Sequence, residues 1–260
     1  MSPETVVAII LGVVQGITEF FPVSSTAHLI LLPWFFNWGG EINTLVFDVA
    51  LHAGTLSALL LCFYRDWLHM ISNDRRMLLF ILLATIPAGA AGALLHDVVE
   101  HTLRSPLLIA FTTLLFGILM LIAERHGGRN RERATFGDSM LIGVAQAIAL
   151  IPGVSRSGIT ITAGLFRNLT RESAARFSFL LSTPVIGGAT LLEGRKLLKN
   201  PGSYHPDLLA VGFFAAFVSG FFAIKFLLSF LRKYPLNVFA YYRFLLALVI
   251  VLVWTRTNGL

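Results

Sequence analysis

Two long apolar stretches, residues 5–36 and 138–166, are each broken in the middle by polar residues, and this limits the fold more than any other feature. EFFPVSSTAH interrupts the first and PGVSRSG the second. A helical bilayer crossing takes about 20 mostly apolar residues, so each stretch is too long for one straight crossing and too short for two. Proline ends or kinks a helix interior. Irregular backbone is tolerated at membrane depth only where protein buries it or it lines a cavity. The two breaks must therefore be packed inside the molecule.

Composition makes lipid the surroundings. Hydrophobic residues are 56% of the chain and charged residues 13%, against about 25% charged in a soluble domain. Mean hydropathy is +0.77. Six further runs, near 44–64, 77–95, 106–123, 173–192, 207–229 and 236–254, are each long enough to cross a bilayer. Short polar connectors such as RDWLHMISNDRR and ERHGGRNRERATFGD separate them. The predicted fold is an all-α integral membrane protein, a single membrane domain over 1–260, with six transmembrane helices plus two re-entrant helical hairpins. The net charge of +6 sits in these connectors, where arginine and lysine set membrane orientation, so no nucleic-acid partner is expected. Cys62 has no second cysteine to pair with. The start, MSPETVVAIILG, lacks the basic region of a signal peptide, and the first apolar segment is expected to be retained.

The broken stretches are copies of one another. Without a gap, LGVVQGITEFFPVSST (11–26) lies over IGVAQAIALIPGVSRS (142–157), an offset of 131 residues. Gly12 meets Gly143, Gln15 meets Gln146, and the Val23-Ser24 step meets Val154-Ser155. The chain divides into pseudo-repeats 1–130 and 131–260, each a broken hairpin followed by three spans. If each hairpin enters and leaves on one side, a half makes three crossings and the second copy is inverted, an architecture of membrane sites built from discontinuous helices. If each broken stretch crosses once, the repeat is parallel. The short half-helices favour the inverted-topology repeat, with both termini outside and hairpin 5–36 opening outward.

The breaks carry chemistry. Ser24, Ser25 and Thr26 precede one second half-helix, and Ser155, Arg156 and Ser157 precede the other. Serine and threonine cap helix N-termini, whose unpaired N–H groups attract anions. Two such termini facing each other make a phosphate pocket, to which Arg156 adds a permanent charge and a forked donor set. Ser25 and His28 are three apart, on one helix face, so the imidazole is positioned to take the hydroxyl proton. Glu19, before the break, is suited either to orienting His28 or to holding a divalent cation. Asp48 and His52, one turn apart, could support the site or pair with each other, while Arg176 and Lys225 read as structural or snorkelling side chains.

At these residues the sequence resembles the bacitracin-resistance family of undecaprenyl pyrophosphate phosphatases. The signatures are QGITEFFPVSSTAH (15–28) and PGVSRSG (152–158), with family-like text in FDVALHAGT and ARFSFLLSTP. The resemblance covers essentially the whole chain. It implies hydrolysis of undecaprenyl pyrophosphate to undecaprenyl phosphate and inorganic phosphate in the bacterial inner (plasma) membrane, with the active site opening to the outer, periplasmic side. By position, it assigns catalysis to Glu19, Ser25, His28 and Arg156, with Ser25 the expected attacking residue and His28 the alternative, phosphate binding to Ser24, Thr26, Ser155, Arg156 and Ser157, and a supporting role to Gln15. It implies a divalent cation, magnesium or calcium, with Glu19 as its ligand, and Gln15 in place of a second acid weakens any two-carboxylate cage. Long-chain prenyl pyrophosphate is the expected partner and inorganic phosphate the product, with a homodimer left open. The rival reading is a transporter or flippase of a phosphorylated prenyl lipid, since inverted repeats with broken helices also serve transport. A lipid-binding scaffold would have no reason to gather Glu, Ser, His and Arg at hairpin tips.

Overall fold

The computed structural model describes residues 2–40, 42, 44–126, 128–199 and 205–257. They form ten α-helices: α1 (Pro3–Thr18), α2 (Ser25–Phe36), α3 (Leu45–Ser72), α4 (Arg75–His101), α5 (Pro106–His126), α6 (Phe136–Ile148), α7 (Arg156–Phe166), α8 (Arg171–Lys199), α9 (Pro206–Lys233) and α10 (Asn237–Thr257). Six of them, α3, α4, α5, α8, α9 and α10, are long and apolar enough to cross a membrane, and each overlaps one of the six runs read from the sequence. Their outward faces carry Phe214, Phe222, Leu191, Leu245 and Leu248, all more than half exposed, a surface suited to lipid and not to water.

Helix lengths fall into two series of five. The first opens with helices of 16 and 12 residues and the second with helices of 13 and 11. At 1.5 Å per residue these four run only about 16 to 24 Å, short of a roughly 30 Å hydrocarbon core. Capping fixes where they start. Ser2 caps α1 with proline at its first turn, and Thr135 and Asp138 form a reciprocal capping box on α6.

Helix pairing crosses between the two series. α1 lies along α9, and α6 lies along α4. Both approaches depend on the glycine that the sequence alignment pairs. A Cβ on Gly12 would come within 2.6 Å of the Ala215 Cβ, and one on Gly143 would collide with the Ala84 backbone. Small residues let helices approach closely where lipid supplies no hydrophobic drive.

At one end of the bundle, polar clasps gather the connectors. Arg167, after α7, donates to Asp138 at 2.7 Å, and Arg131 donates to the same carboxylate at 2.6 Å. Burial alone would raise the Asp138 carboxyl, but the Thr135 N–H, Arg167 and Arg131 together hold it well below the usual carboxylate range. Arg131 also pairs its backbone with Asn168 and Thr170. The beginning of α6 and the end of α7 therefore lie side by side. Glu124 collects Arg129, Arg171 and the Leu236 N–H at the same end. Arg176 bonds Asp66 at 2.6 Å and stacks on Phe63, and Lys225 sits over Phe221, the structural roles expected for both.

Candidate active site

The two breaks have one backbone geometry. Ser24 and Ser155, paired by the ungapped sequence alignment, cap α2 and α7 with φ of 73° and 71°, a region non-glycine residues rarely adopt. Each hydroxyl accepts the N–H three residues on, from Ala27 at 3.4 Å and Gly158 at 3.2 Å. Strained backbone of this kind persists only where the surroundings over-determine it, and it clusters at functional sites. The first N–H groups of each helix have no carbonyl one turn earlier, so both termini present donors and positive potential.

Between the breaks lies a cavity of about 190 Å³, whose walls include Glu19, Ser25, Thr26, His52, Ser155 and Arg156. At the volume of liquid water it holds about six molecules, room for a phosphate group. Glu19 organises its polar wall. One carboxylate oxygen takes the Arg156 guanidinium in a close ion pair. The other accepts the Ser25 hydroxyl at 2.5 Å and the Gln15 amide at 3.0 Å. The same Gln15 nitrogen donates its second proton toward His52 Nδ1, also at 3.0 Å, which places His52 3.7 Å from Glu19. Gln15 Oε1 is left buried without a partner, and so is Thr190 Oγ1 on the cavity wall. The glutamate is buried yet fully engaged, as a carboxylate in a low-dielectric site must be. Chemically, this is a hydroxyl aimed at a base, next to an arginine and two helix N-termini facing an anion-sized space.

A family model described as bacitracin resistance protein BacA matches residues 8–249. The chain belongs to that family. It is 56% identical over 251 residues to an undecaprenyl-diphosphatase of Thermodesulfovibrio yellowstonii, covering 96% of this chain and 98% of that one. Proteins of the same description from Desulforudis audaxviator and Moorella thermoacetica are each 47% identical, covering 94% and 96% of this chain and 96% and 98% of theirs.

Within this family member the expected site residues divide. Glu19, Ser24, Ser25, Thr26, Ser155 and Arg156 line the one cavity, and Gln15 supports it from behind. Ser157 instead donates to the Phe21 carbonyl at 3.1 Å, a strut from the second break to the first. The expected Ser25–His28 pairing is replaced by another. A helical side chain leans toward its own N-terminus, so Ser25, the first residue of α2, reaches Glu19. For the same reason the His28 ring lies over Ser24, its Nδ1 2.7 Å from that carbonyl, with Nε2 2.6 Å from the Tyr242 hydroxyl. Because a carbonyl only accepts, the Nδ1 proton is committed. Glu19 holds Arg156 and Ser25 and does not orient His28. Of the two partners read for it, the site or Asp48, His52 turns to the site, meeting Gln15 and Glu19.

Two residues escaped the sequence reading, Tyr242 and Arg243. Both sit in the last apolar run, where an arginine amid FAYYRFLLALVIV is itself a signal, since intramembrane charge is costly. Among the described residues, no group of three His, Cys, Asp or Glu side chains is arranged to hold a metal.

Proposed function

We propose that this protein hydrolyses undecaprenyl pyrophosphate to undecaprenyl phosphate and inorganic phosphate, the activity named for its relatives. This recycles the lipid carrier of bacterial cell-wall synthesis and accounts for the family's association with bacitracin resistance. One observation carries the mechanism: the Ser25 hydroxyl donates to Glu19 while Arg156 holds the other oxygen of the same carboxylate. The prenyl tail stays in lipid against the apolar helices, and the pyrophosphate enters the cavity. The termini of α2 and α7, with Thr26 and Ser155, bind its oxygens, and Arg156 stabilises charge on the transferring group. Ser25 Oγ attacks the terminal phosphorus as its proton passes to Glu19, and the bond to the lipid monophosphate breaks. Water then attacks the seryl phosphate, Glu19 returns its proton to Ser25 Oγ, and inorganic phosphate leaves. His28 anchors the Ser24 carbonyl and so the α2 terminus.

A divalent cation belongs to this reading. Among the described residues Glu19 is the one carboxylate lining the cavity, and the Thr190 hydroxyl, buried without a partner on its wall, is a second hard oxygen donor of the kind magnesium or calcium takes. Substrate oxygens and water would complete the shell, and the cation would neutralise pyrophosphate charge. Chelator is expected to lower phosphate release by purified enzyme at least tenfold, with magnesium or calcium restoring it. Glu19→Gln keeps the shape but not the base, and is expected to cost about 10² to 10⁴ in kcat, measured as phosphate release in detergent.

The deciding experiment is phosphate release from long-chain prenyl pyrophosphate by purified protein in detergent. A hydrolase liberates phosphate there, whereas a transporter or flippase does not, and no release would sink the proposal.

The two hairpins are read as re-entrant and the repeat as inverted. Supporting this, Asp138 and Arg167 join the two ends of the second stretch, and the four half-helices are shorter than the bilayer core. The connectors at that end carry Arg129, Arg131, Arg167, Arg171 and Arg232, the signature of a cytoplasmic face. The cavity residues Val49 and His52 lie near the opposite end of α3, which supports a site opening to the outer side of the plasma membrane. A reporter fused to the C-terminus is expected to be active only outside the membrane, and cytoplasmic activity would overturn this topology.

A further inference from the structure

Arg243 is fully buried within α10, and its partners among the described residues are all backbone carbonyls. Nε donates to Thr113 at 3.0 Å, Nη1 to Pro22 and Val154 at 3.3 and 3.1 Å, and Nη2 to Gly153 at 2.7 Å. An arginine inside a membrane span without a carboxylate is costly to keep. Its contacts indicate what it does. They come from α5, from the first break and from the second, three pieces of chain that this one side chain joins.

The position of these carbonyls matters most. Pro22 precedes Ser24 by two residues, and Gly153 precedes Ser155 by two. Those serines hold the two positive-φ conformations that start α2 and α7, and such backbone survives only under restraint. Gly153 itself has φ +89°, and Thr112 and Thr113 crowd the space where its Cβ would be. A planar guanidinium with five fixed donors can hold all four of these carbonyls at once, which the three donors of an ammonium cannot. The residue does not line the cavity, so it acts from behind the breaks on Ser25 and Arg156, which do.

We infer that Arg243 is a positioning residue of the phosphatase site: it clamps the carbonyls that precede both strained caps and so sets the spacing between Ser25 and Arg156. The inference rests on the site reading above. A neighbouring residue adds to the same function, since Tyr242 meets His28, which in turn holds the Ser24 carbonyl. Helix α10 thus braces the first break from two sides.

The test uses full-length Arg243→Lys and Arg243→Met, with rates referred to the folded fraction from size exclusion and thermal unfolding. Lysine keeps the charge and the stem but loses the fork. The expected result is a kcat lower by on the order of 100-fold, the penalty for a misplacement near 1 Å, with KM changed less than about threefold because tail binding is untouched. A merely structural residue would lower folded yield while the folded fraction kept wild-type kcat. That outcome in Arg243→Lys overturns the inference, as does a change confined to KM. Should neither replacement give folded protein, Gly158→Ala decides. Its added methyl would press on the Ser155 cap, 3.0 Å from Cβ, as well as on Nη1 3.2 Å away, so it disturbs the cap and the fork that holds it together. A kcat-selective loss is expected, and unchanged kcat overturns the proposal. Arg156→Ala is assayed alongside: full activity there would discard the site reading itself, whereas an inactive Arg156→Ala with a normal Arg243→Lys discards only this inference.

Discussion

Ser25→Ala is expected to reduce phosphate release by on the order of 10⁴-fold or more, as loss of an activated nucleophile does. The fold should survive, because the change removes one oxygen at a cost near 1 kcal/mol for a single hydrogen bond. Glu19 keeps Arg156 and Gln15 as partners. The comparison to make is initial rate against unfolding temperature for the same preparation. A large loss of rate with a small thermal shift places Ser25 in the chemistry. Near-normal turnover would remove it as nucleophile and leave water, activated by Glu19, as the attacking group.

Arg156→Ala is expected to cost 10³ to 10⁵ in kcat, the range of an arginine that stabilises a transferring phosphoryl group. It carries a larger stability risk than Ser25→Ala. The Arg156–Glu19 pair is mostly buried, with side-chain exposures of 15% and 4%, and removing one partner from such a pair costs about 3 to 5 kcal/mol because a lone charge remains. The two effects can be separated. Arg156→Ala combined with Glu19→Gln removes the stranded charge, and should regain thermal stability without regaining activity. Arg156→Lys should recover only part of the rate, since an ammonium lacks the planar fork. Recovery of activity in the double replacement would remove both residues from the chemistry, Arg156 as the phosphate ligand and Glu19 as the base.

Much of the site was legible because its signals are local. A capping hydroxyl beside a helix break is read from neighbouring letters, and both Ser24 and Ser155 proved to be caps. Gly12 and Gly143, paired by the alignment, both lie at close helix contacts. The Ser25–His28 pairing was misjudged because spacing alone ranks His28 as Ser25's neighbour. Spacing says nothing of a turn that brings a carboxylate six residues earlier onto the same hydroxyl, or of a tyrosine 214 residues away on the ring.

By itself, then, the sequence determined the solvent, the six spans, the two broken stretches and the residues that begin their second helices. These follow from hydropathy and from backbone rules that act within one turn. Which side chains meet was decided by tertiary structure alone: Arg156 with Glu19 across 137 residues, His52 with Gln15, and Arg243 with both breaks. A hydrogen bond between distant segments depends on how helices pack and on which donors burial leaves without water, and no local pattern encodes either.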